Sequence, residues 1–449
     1  MTFNLEVVER AEAVASAAIA DVRGKLGTEA AVAVRAPAGA GKSYFIGTAV
    51  GDLRGTQARV AVCAPTNEQA YDLVALLANR YRAMLVTFLH SADHELPPAT
   101  LNLPNVTSTS AALATLGSDL VVGTIAKLGY SREDLGEFDV LLMDEAFQAD
   151  AGHYYTVGGL APTHLLVGDS GQLNPFSTMD GSDRWRGLAE DPLQTAIGVL
   201  LRNHRETSVY PFPISRRLDP RAVEIVRAFY PGHSFDAAVL PDVRQLRTMS
   251  AVAADTRTRA LDRAIEIASA SGWAHLELPQ APVLTADPEM ISVIVDLVRR
   301  ICQRGPEISG EYTNGFVPLP PSQIACGVSH NDQKEYLRAE LDSAGFSAVV
   351  VDTANKLQGR QFDLVIAWHP LAGLPDPDGF HLDPGRLCVL LTRHRQACIL
   401  VGRESDRGLV EGLPPMTPAF LGWDPDPVLD GWDIHQSVFR ALEARRVAL

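Results

Sequence analysis

Apolar positions in the first 30 residues fall at helical spacing: Leu5, Val8, Ala11, Val14 and Ala18 share one face, which predicts an amphipathic helix. The pattern then changes. Short, almost wholly apolar runs appear at Ala31–Val34, Val60–Cys63, Leu120–Val122, Val140–Met143 and Leu165–Val167, each ending in a polar motif. Helical patterns lie between several of them, and such alternation predicts a mostly parallel sheet wrapped by helices. A second series holds Ile324–Val328, Val349–Val351, Leu364–Ala367 and Cys398–Val401, with a helix predicted at Pro288–Arg304 from the shared face of Ile291, Ile294, Val295 and Val298.

Pro211 and Pro213 punctuate the chain between the two series, so two α/β domains are expected, 1–210 and 211–403. Gly305–Pro321, rich in Gly and Pro, reads as a loop. From Glu404 to Asp430 the chain is Pro- and Asp-rich and is expected to wrap the surface, before a final helix at about Ile434–Arg446; residues 404–449 form a C-terminal extension in this reading. No internal repeat is apparent.

Composition adds exclusions. The 449 residues are 46% hydrophobic and 21% charged, enough for two cores. A formal net charge of −15 lowers the case for a protein that coats nucleic acid by bulk electrostatics, while leaving room for a narrow basic track. No apolar stretch has the length of a membrane span, and Met1–Glu6 lacks the pattern of a signal peptide. Cys63, Cys302, Cys326, Cys388 and Cys398 lack metal-like spacing and read as thiols in a reducing cytoplasm.

Three strand ends carry chemistry. "APAGAGKS" (36–43) follows an apolar strand and precedes a helical pattern, the wiring of a phosphate-binding loop, although Ala36 stands where its first glycine is expected. Backbone N–H groups of Gly39, Ala40, Gly41 and Lys42 would cradle phosphates at the positive end of the helix dipole. Lys42 would reach the β- and γ-phosphates of ATP, and Ser43 would ligate Mg²⁺. "VLLMDEAFQAD" (140–150) delivers Asp144 to hold that metal through its water shell and Glu145 to deprotonate the attacking water. "LLVGDSGQLNPF" (165–176) brings Gln172, an uncharged amide able to sense a γ-phosphate.

With "APTNEQAYDL" (64–73), "SRRLDP" (215–220), "TANKLQGRQFD" (353–363) and "LLTRHRQACILVG" (390–402), these motifs stand in the order of a superfamily 1 helicase. The chain most resembles the 1B branch, the nonsense-mediated-decay helicase family and RecD-like enzymes, from about residue 30 to 402. The resemblance implies two tandem RecA-like domains of the P-loop NTPase class, with ATP in the cleft between them and single-stranded DNA or RNA crossing both. Arg217 and Arg393 match the family's two arginine fingers, whose guanidinium groups stabilise transition-state charge. Gln358 and Gly359 match the motif coupling nucleotide to the second domain, with Gln361 where the family has an acidic residue. Thr66, Thr124 and Thr353 match positions that hold nucleic-acid phosphates. Tyr44 and Arg216 fall beside the nucleotide, Arg216 in the place of an aromatic that stacks on the base. No glutamine occurs before Gln57, so the family's adenine-reading amide is missing. Asn79–Asp119 is the place for a small strand-splitting pin.

The expected activity is an ATP-driven translocase or helicase moving 5′ to 3′. The competing expectation is a nucleotide-switched subunit that recruits or remodels a protein complex without unwinding. No membrane partner and no nuclease cluster are expected.

Overall fold

The first sheet has eight strands; its six inner ones are buried deeply enough that most read as unbroken aliphatic runs, as parallel strands covered on both faces do, and its two edge strands are half exposed. The eight are β1 (Ala30–Arg35), β2 (Val60–Ala64), β3 (Val86–Leu89), β4 (Val106–Thr109), β5 (Leu120–Thr124), β6 (Val140–Met143), β7 (Thr163–Gly168) and β8 (Ser208–Pro211). The computed structural model describes residues 2–175, 185, 188, 191–249, 255–281, 283, 286–412 and 431–449. The first sheet runs β4-β3-β5-β2-β6-β7-β1-β8, with every neighbouring pair parallel. Side-chain alternation divides it into two cores. Val32, Val34, Val60 and Val62 pack under the helices Leu5–Gly24, Lys42–Gly55 and Asn67–Arg80. Ala31, Ala33, Ala61 and Cys63 pack on the other face with Ile125, Leu128, Tyr154, Val157 and Ile197.

The chain continues with β9 (Ile214–Ser215), β10 (Asp236–Ala237), β11 (Gln245–Arg247), β12 (Trp273–Leu278), β13 (Glu307–Ser309) and β14 (Val317–Pro318). After them come β15 (Ile324–Val328), β16 (Val350–Thr353), β17 (Phe362–Trp368), β18 (His394–Arg403) and β19 (Arg446–Ala448). A second parallel sheet runs β16-β15-β17-β18-β12-β19; β9 pairs with β10, and β11-β13-β14 form a small antiparallel sheet. The protein is thus α/β, with two large, mostly parallel sheets. One core joins them: Ala38 and Leu173 of the first half pack with Leu218, Phe229, Leu387 and Leu391. The approach is close, for a Cβ at Gly385 would lie 2.5 Å from the Gln172 carbonyl oxygen.

Several segments differ from their sequence reading. Residues 79–119 contribute β3 and β4, paired parallel at the edge of the first sheet, rather than a projecting pin. The edge strand β4 reads Val-Thr-Ser-Thr and is half exposed, so its polar residues hide it, while β3 is a run of only four residues, Val-Thr-Phe-Leu, buried beside β5. The 305–321 loop contains β13 and β14. After residue 403 the chain forms a helix, Glu404–Gly412, where a surface wrap was expected; the rest of that stretch, 413–430, lies outside the described residues. The last helix runs Gly431–Leu442, and β19 then adds to β12 as the edge of the second sheet. All five cysteines are free thiols, and among the described residues no helix is long and apolar enough to cross a membrane.

Candidate active site between the two sheets

The phosphate loop begins where β1 leaves the sheet. Ala36 N–H donates to the Gly168 carbonyl at 2.8 Å, and Ala40 N–H closes a turn on Pro37 at 2.9 Å. Gly39 and Gly41 hold φ of 75° and 93°, left-handed values that glycine adopts without strain. Ala36 is absent from the positive-φ positions and is 1% exposed, so a small residue suffices there and the missing glycine costs nothing. Gly41 caps the helix Lys42–Gly55 without a side-chain acceptor, leaving its first N–H groups for an anion.

Lys42 meets the acidic strand ends. Its Nζ lies 3.1 Å from Glu145 Oε1 and 3.9 Å from Asp169 Oδ2. Burial pushes the ammonium down, but Glu145, Asp169 and Asp144 together hold it above the ordinary lysine value. Glu145 sits at φ 52°, an uncommon backbone for a non-glycine and a mark of functional sites. Asp144 accepts the Glu145 N–H at 2.8 Å, and its carboxyl is pushed up to about 7, by burial first and Glu145 second, against the pull of Lys42. Asp169 is likewise raised by burial. It accepts from Gly171 N–H at 3.1 Å and from the Gln172 amide, which fixes Gln172 at the cleft wall.

The opposite wall is cationic. Arg216 N–H donates to the Gly39 carbonyl at 2.7 Å, and Ser215 Oγ donates to the Ala38 carbonyl at 2.7 Å, laying "SRRLDP" against the phosphate loop. Arg217 Nη1 donates to the Thr392 carbonyl at 3.2 Å. Arg393, 1% exposed, is held by the Val389 carbonyl at 3.1 Å and Thr392 Oγ1 at 2.9 Å. Burial, and then the neighbouring Arg393, push Arg217 down to about 9; burial lowers Arg393 as well. Neither guanidinium has a carboxylate ion pair among the described residues, and Arg217 Nε is buried without a partner. An incoming polyanion would relieve this repulsion.

A cleft of about 400 Å³ brings most of these residues together. Gly39, Ala40, Gly41, Lys42, Ser43 and Tyr44 line one side, with Glu145 and Gln172. Arg216, Arg217, Gly359 and Arg393 line the other, joined by Gln361. Gln358 stays out of the lining, although both polar atoms of its amide are buried without a partner. Asp144 lies behind Glu145 rather than in the wall. A Ser43 hydroxyl in the wall and a buried, electrostatically strained Asp144 carboxylate behind it are hard oxygen donors. They fit Mg²⁺, which takes few protein ligands and completes its shell with water and phosphate. Among the described residues no cage of three or more His, Cys, Asp or Glu exists elsewhere.

The three threonines lie apart from the cleft, at the carboxyl ends of parallel strands where α/β sheets bind ligands. Thr66 follows β2 and caps the helix Asn67–Arg80, its Oγ1 accepting from Gln69 N–H at 3.3 Å. Thr124 ends β5 and caps Ile125–Tyr130. Thr353 ends β16 and begins the turn Ala354–Leu357. Lys356 of that turn pairs with Glu68 at 3.3 Å, so the Thr66 and Thr353 segments face each other across the two halves. Sequence reasoning missed three cleft residues, Glu311, Tyr312 and Arg395. The only local signal was the position of Arg395 two residues after Arg393.

Residues 281–405 match a family described as an AAA domain, a span that includes Thr353, Gln358, Gly359 and Arg393. No curated protein matches the chain. Among solved structures, the PRRSV helicase aligns at 13% identity and a TM-score of 0.42 over 88% of this chain and 55% of that one. The Arterivirus nonstructural protein 10 helicase in complex with DNA aligns at 13% identity and a TM-score of 0.43, over 89% and 64%. A crystal structure of the Arterivirus nonstructural protein 10 helicase aligns at 13% identity and a TM-score of 0.41, over 89% and 63%. The chain therefore spans less than two thirds of the length of each of these three structures.

Proposed function

We propose that this chain is an ATP-dependent translocase or helicase of the superfamily 1 type, acting on single-stranded nucleic acid and hydrolysing ATP between its two sheets. One observation carries the reading: Lys42, Glu145, Gln172, Arg217 and Arg393, from five separate motifs, line a single cleft. Lys42 and the free N–H groups of its helix bind the β- and γ-phosphates. Glu145, 3.1 Å from Lys42, takes the proton of the attacking water while phosphate shares the ammonium. Gln172 orients that water, and Arg217 and Arg393 neutralise charge spreading over the γ-phosphoryl oxygens. Ser43 and Asp144 would hold Mg²⁺, which would supply shielding of the phosphate charges. Thr66, Thr124 and Thr353 carry the nucleic-acid strand along the sheet ends, and Gln358 links that track to the cleft through Gly359. The 1B resemblance gives the direction as 5′ to 3′.

The test is an ATPase assay run side by side with single-stranded DNA, single-stranded RNA and no polymer. Stimulation by a polymer is expected. Glu145→Gln keeps ATP binding but loses about 10²- to 10⁴-fold in turnover, the contribution of a positioned base. Lys42→Ala loses both. Near wild-type hydrolysis in either variant would sink the assignment.

A second reading, a nucleotide-switched subunit that remodels a partner without unwinding, is favoured by the in-sheet placement of residues 79–119. A duplex with a 5′ single-stranded tail separates the two. Displacement from it, and none from a 3′-tailed duplex, supports the helicase. Polymer-stimulated ATPase with no displacement on either supports the switch.

A further inference from the structure

Beneath the cationic wall lies a charge network centred on Glu311 and Arg244, two buried residues that none of the motifs above includes. Glu311, between β13 and β14, accepts two hydrogen bonds from Arg244: Nε to Oε2 at 2.9 Å and Nη2 to Oε1 at 2.6 Å. The same Oε1 accepts from Arg395 Nη2 at 2.8 Å. The Arg244 and Glu311 side chains are 1% and 2% exposed. Arg244 spends its remaining donors on backbone: Nη2 to the Arg216 carbonyl at 2.7 Å and Nη1 to the Arg217 carbonyl. Arg395 lies two residues beyond Arg393 on β18. Through two guanidiniums, one carboxylate therefore ties the peptide that presents Arg217 to the strand that follows Arg393.

Charge placement sharpens the point. Arg216, Arg217, Arg393 and Arg395 all line the cleft, and Glu311 is the acidic residue on their side of it. It pairs with Arg244 and Arg395, and among the described residues Arg217 and Arg393 have no ion pair. Burial pushes the Glu311 carboxyl up, but Arg244 and Arg395 hold it below the ordinary glutamate value, so it remains an anion. A buried ion network like this is weak evidence for stability, since apolar residues of similar volume would serve as well. Its geometry calls for another role.

We propose that Glu311 is a positioning residue for phosphoryl transfer: acting through Arg244 and Arg395, it sets the spacing of the Arg217 and Arg393 segments and keeps neighbouring cations from competing for the γ-phosphate. This rests on the reading of the cleft as a nucleotide site. Arginine fingers act only when placed to within fractions of an ångström, and a displacement of about 1 Å can cost about 10²-fold in rate.

The experiment is a double-mutant cycle in steady-state ATPase kinetics. Glu311→Gln keeps the shape and removes the charge. Its kcat is expected to fall by about tenfold or more with KM for ATP within about twofold of wild type, because the phosphate loop is untouched. In an Arg217→Ala background the same substitution is expected to cost at least about threefold less than in wild type, the remainder acting through Arg393, since residues that act through one another are not additive. A purely structural role would multiply the two losses. A kcat within about twofold of wild type, or an equal loss in both backgrounds, overturns the proposal. If Glu311→Gln does not fold, the same cycle is run with Arg395→Gln, whose native side chain is 24% exposed, under the same criteria. Wild-type hydrolysis is measured first. Its absence overturns the nucleotide reading itself; its presence beside an unaffected Glu311→Gln overturns only the role of Glu311.

Discussion

Adding one methyl group at Gly39 tests how closely the phosphate loop and the first arginine segment are fitted. A Cβ there would lie 2.4 Å from Arg217 Cβ, 3.0 Å from Arg217 N and 3.1 Å from Ser215 Oγ. Ordinary van der Waals contact starts at 3.4 Å, so the loop and the Ser215–Arg217 segment must part by about 1 Å. Two costs follow. The φ of 75° at Gly39 charges any L-residue about 1–2 kcal/mol, and relief of the overlap adds about 1–3 kcal/mol. If Arg217 acts in the transition state as proposed, a displacement of that size lowers kcat by about 10²-fold, equivalent to about 2.7 kcal/mol of barrier. Gly345→Ala supplies the control: φ is 85° and nothing lies within 4 Å of its Cβ, so it bears the backbone cost alone. Denaturant titration of both variants should show Gly39→Ala less stable than Gly345→Ala, and steady-state kinetics should show the rate loss only in Gly39→Ala. A Gly39→Ala enzyme with kcat within about threefold of wild type would refute the tight fit and, with it, the placement of Arg217 by the loop.

Other consequences are separately measurable. Arg393→Ala or Arg217→Ala should reduce kcat far more than nucleotide affinity, and Arg393→Lys should rescue only partly, because an ammonium lacks the planar fork; equal losses in kcat and affinity would argue for a binding role alone. Arg216 stands in place of a stacking aromatic, Tyr312 is the exposed aromatic across the cleft, and no glutamine precedes Gln57 to read an adenine edge from upstream of the loop. GTP should then support turnover within about tenfold of ATP, or about 1.4 kcal/mol, and an inert GTP at saturating concentration would show that another residue reads the base. In the second half, His275 and His435 are pushed down to about 3, and His369 well below its ordinary value, all chiefly by burial. Their unfolded forms take up protons below about 6.5 while the folded forms resist to about 3. These groups therefore stabilise the fold above that window and lose the contribution as pH falls through it. Asp406 beside them is raised to about 7 and works in the opposite direction, as do the raised Asp144 and Asp169, so wild type is compared with His435→Gln. The variant's stability should fall less steeply between pH 6 and 4, by up to about 1.4 kcal/mol per pH unit for one group, and identical slopes would remove His435 from the acid response.

Much of the fold is legible because burial on both faces writes a strand as an aliphatic run. That is why β1, β2, β5, β6 and β7 stand out, and β15, β17 and β18 after them. β12 escapes for a physical reason: it lies between β18 and β19 yet reads "WAHLEL", with His275 and Glu277 0% and 3% exposed. The buried imidazole stacks on Phe439 and the glutamate pairs with Arg446, contacts with residues far along the chain that no local pattern displays. The cleft divides the same way. Lys42, Glu145 and Gln172 follow strands directly, so their spacing announces them. Glu311 and Tyr312 enter the wall only because β11, β13 and β14 fold the 305–321 segment back toward β18, and nothing near them in sequence records that pairing.

The strand that leaves the first sheet has a mechanical consequence. β8 lies beside β1, and the residues after it stay fastened to the phosphate loop: Phe212 N–H to the Arg35 carbonyl at 2.8 Å, Ser215 Oγ to Ala38 and Arg216 N–H to Gly39. Each such bond is worth about 0.5–1.5 kcal/mol, and the three act in series along a few residues. A crossing held at three points is not a swivel. Any turning of the six-stranded sheet against the eight-stranded one must take its pivot beyond Arg217. A shift of the loop as it grips or releases a ligand then reaches the crossing as torque, with no slack to absorb it.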